Sequence, residues 1–318
     1  MNRYIATDPE IYTGRESNRQ DYLHEKVQCI DLEQDWSTSG EKTIALLGYA
    51  CDAGVTRNQG RTGAAKGPDA IRKALGKMPN HLEDTTDFFD MGTVEGAANE
   101  MENAQALLAS KVDRLLKANT LPLLLGGGHD IAYGHYNGLK KHLGSDKLIG
   151  IINYDAHFDL RSNENGNNSG TPFYQIAKDC ESDGKSFNYL ALGIRKDAND
   201  RALFHTANVL GVDYIENENF NLNQLTSIEN TLHRFMDRVD HLYVTIDLDG
   251  FSSAYSPGVS APSPMGFFPD IVLKSLKKII ASKKMISLDL AEMNPKYDID
   301  NQTAKLAASL VHFVMHTI

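Results

Sequence analysis

Short apolar runs alternate along the chain with longer stretches in which apolar residues recur every three or four positions. The apolar runs cover residues 42–49, 121–127, 147–154, 188–194, 241–248 and 284–291. Continuous apolar segments of this length are typical of strands in a parallel sheet that is covered on both faces. The pattern therefore predicts a buried parallel strand at each of these runs.

The segments between the strands carry helical patterns. Residues 103–119 place several leucines and Val112 on roughly one face. Residues 268–282 carry Pro269 near the first turn, where the missing N–H costs little, and residues 301–318 are a further helix candidate. Strands that alternate with helices indicate βαβ units, so we predict an α/β fold of three layers (αβα) with a central, mostly parallel, doubly wound sheet.

Residues 1–40 are polar and weakly patterned, and we expect them to wrap around the rest of the chain as an N-terminal segment. No Pro- or Ser-rich linker or internal repeat divides the remainder. Although 318 residues is long for an average domain, it is within the range of one large α/β unit. We therefore predict a single domain over residues 1–318.

Composition excludes some classes of partner. Hydrophobic residues make up 41% and charged residues 23%, an ordinary globular mix, and the formal net charge is -10. With no long Lys/Arg stripe, this charge argues against nucleic acid or an anionic membrane as a partner. No apolar run resembles a signal peptide or a membrane span, so we expect a cytoplasmic protein. Cys29, Cys51 and Cys180 form no C-x-x-C pair, which argues against a disulfide framework or a thiolate zinc site.

Acidic and histidine residues collect where several predicted strands end. They are His129 and Asp130 after the second strand, Asp155, His157 and Asp159 after the third, Asp247 and Asp249 after the fifth, and Glu292 after the last. Ligands of an open parallel sheet bind beyond the carboxyl ends of its strands. We therefore expect these side chains to share one site.

The spacing of the acids points to metal ions. In extended chain, residues two apart project to the same side about 6.5–7 Å apart, so Asp155, His157 and Asp159 would point at one rim, and Asp247 and Asp249 at another. Carboxylates converging without a counter-charge would repel one another and be costly to bury. Two divalent cations about 3.5–4 Å apart, bridged by shared carboxylates, remove that cost. Oxygen and imidazole ligands without thiolate favour Mn²⁺ over Mg²⁺ or Ca²⁺ and leave Zn²⁺, Ni²⁺ and Fe²⁺ open.

Four segments of the chain resemble the ureohydrolases, the arginase and agmatinase family. "GGGHD", "NYDAHFDL" and "TIDLDGFSSAYSPGVSAPSP" are similar to the three metal motifs of that family, and "SLDLAEMNP" to its fourth segment, in order from about residue 42 to the C-terminus. The resemblance implies an arginase-like fold, two Mn²⁺ ions per chain and self-association as a trimer or hexamer. It implies one ion held by His129, Asp155, Asp159 and Asp247, and a second held by Asp155, His157, Asp247 and Asp249. Glu292 falls where the family contacts the cationic amidine or guanidine group.

One departure from the family pattern points to a branch. Arginase-like sequences carry a histidine in an "HG-x-P" segment, whereas this chain reads "NNSGTPF" with Ser169 in its place. That segment resembles the formimidoylglutamase branch, which implies hydrolysis of N-formimidoyl-L-glutamate, a small amidine amino acid of histidine degradation, to L-glutamate and formamide. The implied catalytic residues are Asp159, as a proton relay, and Glu292. The candidate substrate-binding residues are Arg57, Arg61, Asn167, Ser169, Arg195 and Glu292.

Other interpretations remain open from the sequence. A related enzyme would release urea from a guanidine such as agmatine, guanidinobutyrate or arginine. A non-catalytic metal-binding scaffold would have lost ligands, and a nucleotide-binding oxidoreductase would carry the G-x-G-x-x-G fingerprint that this chain lacks. Each candidate arginine is alternatively a surface or structural ion pair, and Cys51 is interpreted as a small apolar residue. The remaining histidines of the sequence analysis, interpreted as structural or exposed, are His135, His142, His205, His233, His241, His312 and His316.

Overall fold

The computed structural model describes residues 3–17, 19–97 and 100–318. Within these ranges the strands form one ten-stranded sheet in the order β1-β4-β3-β5-β10-β9-β6-β7-β8, with β2 beside β4. The strands are β1 Arg3–Ile5, β2 Gln28–Cys29, β3 Lys42–Ala50, β4 Thr86–Glu95, β5 Leu121–Leu125, β6 Ile149–Tyr154, β7 Asn188–Ile194, β8 Asp213–Glu216, β9 His241–Asp247 and β10 Met285–Ala291. Every pairing is parallel except that of β1 with β4.

Helices cover both faces of the sheet, as the apolar runs predicted. The helices are α1 Leu23–Lys26, α2 Ala53–Arg57, α3 Gly67–Leu75, α4 Met101–Lys117, α5 Ile131–Leu143, α6 Pro172–Ser182, α7 Arg201–Val209, α8 Leu225–Met236, α9 Pro269–Ala281 and α10 Gln302–Thr317. Alternate residues of β3 enter different cores: Ile44 and Leu46 pack with α3, α8, α9 and α10, while Ala45 and Leu47 pack with α4 to α7. The predicted α/β class is confirmed. None of the helices in the described ranges is long and apolar enough to cross a bilayer.

The predicted strands and the three predicted helices all appear within a few residues of their expected bounds. The long strand β4 was not predicted, because its sequence does not read as a continuous apolar run. Asp90 lies in the middle of β4 and forms a buried ion pair with Arg72 at 2.7 Å, and Gly92 has a φ of 81° that interrupts the regular pairing with β3. The strands β1 and β2 also escaped prediction because each spans fewer than the four residues that the pattern needs, and β8 because its four residues, DYIE, include only two apolar ones.

The N-terminal segment is fastened to this edge of the sheet. Strand β1 pairs with β4, and Leu23 and Leu32 are fully buried. The hydroxyls of Thr7 and Tyr12 both donate to the carboxylate of Asp90, at 2.7 and 2.5 Å. This part of the N-terminal segment therefore packs against the edge of the sheet at β4.

Candidate metal centre

Four neighbouring strands, β5, β10, β9 and β6, bring the predicted acids and histidines to one edge of the sheet. His129 follows β5, Asp155 follows β6, Asp247 ends β9 and Glu292 follows β10. His129, Asp247 and Glu292 line a cavity of about 890 Å³. Parallel strands that run side by side end on the same side, so residues distant in sequence meet there.

The side chains form two groups that share Asp155. In the first, Nδ1 of His129 lies 2.9 Å from Asp159 Oδ2, 3.1 Å from Asp247 Oδ2 and 3.3 Å from Asp155 Oδ2. In the second, Nδ1 of His157 lies 3.3 Å from Asp155 Oδ1 and 3.3 Å from Asp249 Oδ1. The first group matches the ligand set that the resemblance implied for one ion. The second matches three of the four residues implied for the other, because Asp247 lies with the first group only.

The donor atoms suit divalent cations. Nδ1 of His129 carries at most one proton, yet it faces three carboxylate oxygens. Within the described ranges, His129 Nδ1, Asp249 Oδ1 and Glu292 Oε2 are buried atoms that make no hydrogen bond. Unpaired buried carboxylates are costly unless a cation neutralises them. In each group the potential ligand atoms lie within 4.8 Å of one another, and oxygen with imidazole nitrogen is the ligand chemistry of Mn²⁺ and its neighbours.

Turns, and not strand alternation, aim these side chains. Strand β6 ends at Tyr154, and Asp159 has a φ of 49°, so Asp155, His157 and Asp159 reach the same centre from a turn and not from the extended chain that the sequence analysis assumed. The Asp155 carboxylate accepts the backbone N–H of His157 at 2.7 Å. A similar turn follows β9, where Asp247 accepts the N–H of Asp249 at 2.8 Å. Asp155 and Asp247 therefore each stabilise the turn that positions the candidate ligand two residues later.

Burial sets the protonation of the cluster in the absence of a cation. Burial, reinforced by neighbouring acids, raises the pKa of Asp249 and of Glu292 well above the ordinary range. Burial and the charge of Asp155 raise the pKa of Asp159 to about 6. Burial disfavours the Asp155 charge as well, but the adjacent imidazoles of His129 and His157 outweigh it and hold the pKa of Asp155 low. The metal-free cluster thus retains protons that a divalent cation would displace.

A buried hydrogen-bond network lies behind His129 and was not predicted from the sequence. The Thr245 hydroxyl donates to Asp289 Oδ1 at 2.5 Å, so it accepts from Nε2–H of His129 at 2.9 Å. This assignment leaves the coordinating lone pair of His129 on Nδ1, which faces the carboxylates. The other oxygen of Asp289 lies 2.5 Å from Nδ1 of His135 and accepts from the Tyr243 hydroxyl. The one signal of this network in the sequence was Asp289, an acid within the apolar run of β10. The contact of His135 with Asp289 agrees with the interpretation of His135 as a structural residue.

The structure brings only some of the predicted substrate residues to the cavity. Arg57, Arg61 and Ser169 line it, whereas Asn167 and Arg195 are not part of its wall. Asn58 and Arg161, which the sequence analysis did not single out, do line it.

Each predicted arginine already has partners within the protein. Arg57 pairs with Glu102 at 2.6 Å and also donates to the backbone carbonyl of Asn167. Arg61 donates to the backbone carbonyls of Ser260 and Val259, at 2.8 and 2.6 Å. Arg195 pairs with Asp197.

Comparison with known proteins agrees with this geometry. Residues 42–316 match the model of the arginase family. The chain is 42% identical over 314 residues to a formimidoylglutamase of Aeromonas salmonicida, covering 98% of this chain and 99% of the relative. The solved structure of formimidoylglutamase from Bacillus subtilis superposes with a TM-score of 0.82 at 21% identity, over 96% of this chain and 94% of that one. That of Trypanosoma cruzi formiminoglutamase with Mn²⁺ gives a TM-score of 0.75 at 23% identity, over 87% and 93%. At these identities the two structures show the fold alone.

Proposed function

The chain belongs to the arginase family, and on that premise we propose that it hydrolyses N-formimidoyl-L-glutamate to L-glutamate and formamide. The observation that carries the proposal is the buried cluster of carboxylates and histidines with the unpaired Oε2 of Glu292 at its edge. Such a cluster supplies a site for metal-assisted hydrolysis, and a buried carboxylate oxygen without a donor suits a cationic amidine. The relative from Aeromonas salmonicida, similar over the full length, supports this choice of amidine.

We propose two Mn²⁺ ions per chain. His129, Asp155, Asp159 and Asp247 would hold one, and Asp155, His157 and Asp249 would hold the other, with the carboxylate of Asp247 as the further ligand that the resemblance implies. When bound, such ions activate a water molecule for attack by lowering its pKa toward neutrality.

Glu292 orients the substrate in this proposal. Its Oε1 accepts the backbone N–H of His129 at 2.9 Å, which fixes the carboxylate beside the cluster and leaves Oε2 for an amidinium N–H. The backbone of Glu292 has a φ of 67°, a conformation that non-glycine residues adopt rarely and that recurs at functional sites. A charge-assisted hydrogen bond from the amidinium would hold the amidine carbon over the metal site.

Asp159 is the proposed proton relay. Its side chain is 13% exposed and borders the cavity, whereas Asp155 is fully buried. A carboxylate at this boundary can pass a proton to the leaving amine. Ser169, which stands where arginases carry histidine, is buried at the cavity wall and accepts from Asn58 at 3.2 Å.

A hydrolysis panel tests the proposal. The protein is loaded with Mn²⁺ and incubated with N-formimidoyl-L-glutamate, agmatine, guanidinobutyrate and arginine, and formamide and urea are measured in parallel. We expect formamide and L-glutamate from the first substrate and no urea from the others, with chelator-treated protein as the control. Release of urea, or of neither product by metal-replete protein, would contradict the proposal. A single domain, a cytoplasmic location and assembly into trimers or hexamers stay predictions from the sequence.

A further inference from the structure

We propose that Arg161 binds a carboxylate of the substrate, an inference that rests on the proposed function. Arg161 lies two residues after Asp159 in the loop that follows β6, and its side chain lines the cavity above the candidate metal centre. The sequence had directed attention to other arginines, and the structure shifts it to this one.

The first argument is which guanidinium groups are available. Arg57 is committed to the carboxylate of Glu102, with both of its terminal nitrogens donating at 2.6 and 3.1 Å. Arg61 is committed to two backbone carbonyls and lies 4.0 Å over the ring of Tyr297. Arg161, by contrast, makes no ion pair or side-chain hydrogen bond with any residue in the described ranges. Among the three arginines that line the cavity, it alone has no side-chain partner in the part of the chain that the structure describes.

The second argument is the space that Gly170 provides. The backbone N–H of Arg161 donates to Gly170 O at 2.9 Å, so the two ends of this loop lie side by side. A Cβ atom at position 170 would lie 2.9 Å from Arg161 Cδ, 3.2 Å from its Nε and 3.2 Å from Asn58 Nδ2. The missing side chain therefore leaves room for a guanidinium and an amide donor that both lie against the backbone of Gly170, and two such donors suit a carboxylate.

The third argument is the distribution of charge in the cavity. The acids of the metal centre lie at one end, where they favour the cationic amidine and repel carboxylates. N-formimidoyl-L-glutamate carries its carboxylates only a few bonds from the amidine carbon. Two residues of chain span at most about 7 Å, so Arg161 lies close to Asp159 and within the length of such a substrate. The substrate's anionic end is thereby matched to the guanidinium of Arg161, which lines the same cavity as the metal centre.

The test compares Arg161→Gln and Arg161→Lys with the wild type on two substrates. One is N-formimidoyl-L-glutamate, and the other is N-propylformamidine, which is the same molecule with both carboxyl groups replaced by hydrogen. Binding of L-glutamate, the product, is measured separately by calorimetry on Mn²⁺-loaded protein. Arg234→Gln is the matched control, because it removes the same charge from an exposed arginine of α8 whose side chain, among the described residues, bonds only to Thr231.

We expect Arg161→Gln to lower kcat/KM for N-formimidoyl-L-glutamate by about 10- to 100-fold, mainly through KM, and to weaken L-glutamate binding by a similar factor. Activity on N-propylformamidine should stay within about twofold, since that substrate has no carboxylate to lose. Arg161→Lys should give values of kcat/KM and of L-glutamate affinity between those of the wild type and of Arg161→Gln, because lysine keeps the charge but lacks the planar guanidinium. Gly170→Ala should weaken L-glutamate binding as well, by pushing Arg161 and Asn58 apart.

Wild-type binding of L-glutamate by Arg161→Gln would overturn the inference, as would an equal loss of activity on both substrates. If the wild type itself releases no formamide, the proposed function fails, and the calorimetric comparison still decides whether Arg161 binds a carboxylate.

Discussion

Replacing Thr245 with valine tests whether the network behind His129 positions the metal ligand. Valine has the shape of threonine but lacks the hydroxyl that joins Nε2 of His129 to the carboxylate of Asp289. Thr245 and Asp289 are fully buried and His129 is 1% exposed, so water has no access to replace the lost contacts. The substitution therefore changes hydrogen bonding with almost no change of volume.

The magnitude follows from the groups left without partners. Thr245→Val leaves Nε2–H of His129 and Oδ1 of Asp289 unsatisfied, and each such buried group costs about 1–3 kcal/mol. The metal-free protein should therefore lose about 2–6 kcal/mol of its free energy of unfolding. Loss of the contact that orients a ligating histidine typically lowers metal affinity by about 10- to 100-fold. Thr245→Ser keeps the hydroxyl and removes one methyl group, so it should cost only about 1 kcal/mol.

The assay is a competition between the protein and a chelator of known affinity for Mn²⁺, combined with urea unfolding of the metal-free protein. The valine variant should bind Mn²⁺ more weakly than the serine variant, which should resemble the wild type. If the valine variant binds Mn²⁺ within twofold of the serine variant, the network does not position His129, and the reasoning is refuted.

Three further predictions concern two residues of the site and the buried acid Asp130 beside it. Asp247→Ala removes a carboxylate from the first group and the acceptor of the Asp249 amide, so metal content measured by atomic absorption should fall sharply; two metals retained per chain would contradict the proposed ligand set. Glu292→Gln should lower kcat/KM by about 10- to 100-fold with metal content unchanged, because Glu292 belongs to neither group and only its charge is lost; depleted metal would show a different role. Burial raises the pKa of Asp130 to about 7 from an ordinary 3.8, so between these pH values the folded state keeps a proton that the unfolded state loses. The free energy of unfolding of the metal-free protein should therefore fall by up to about 4 kcal/mol as the pH rises from about 4 to about 7. Asp130→Asn should flatten that part of a pH series of unfolding free energies, and an unchanged slope would argue against the assignment.

The strands and the location of the metal centre were predictable from sequence for the same physical reason. Strands buried on both faces read as continuous apolar runs, so their ends are easy to find, and parallel neighbours end on the same side. Strand β4 was missed because Asp90 is neutralised by Arg72, a partner that no local pattern shows. The sequence analysis derived the directions of the Asp155 and Asp159 side chains from strand alternation, whereas they depend on a turn that follows the strand.

The cavity wall was less predictable, because the availability of an arginine depends on partners far along the chain. Arg57 is neutralised by Glu102, 45 residues later, and Arg61 is held by Ser260, 199 residues later. In the sequence both looked as suitable for a carboxylate as Arg161, which had attracted no attention. Only the folded arrangement separates an arginine that supports the wall from one that remains free to bind a ligand.

The metal centre also opposes the folding of the metal-free chain. Its acids are buried with too few hydrogen-bond donors, and burial raises the pKa of Asp249 and Glu292. Without a bound cation, such a cluster stabilises the fold less than well-packed apolar side chains of the same volume would. The sheet tolerates this because the four strands that carry the cluster are central and packed on both faces. Binding of divalent cations only to the folded chain would then add stability by mass action. Metal affinity and resistance to unfolding are therefore expected to change together in variants of the ligands, whereas a variant of Arg161 should leave both unchanged and alter only the binding of the anionic end of the substrate.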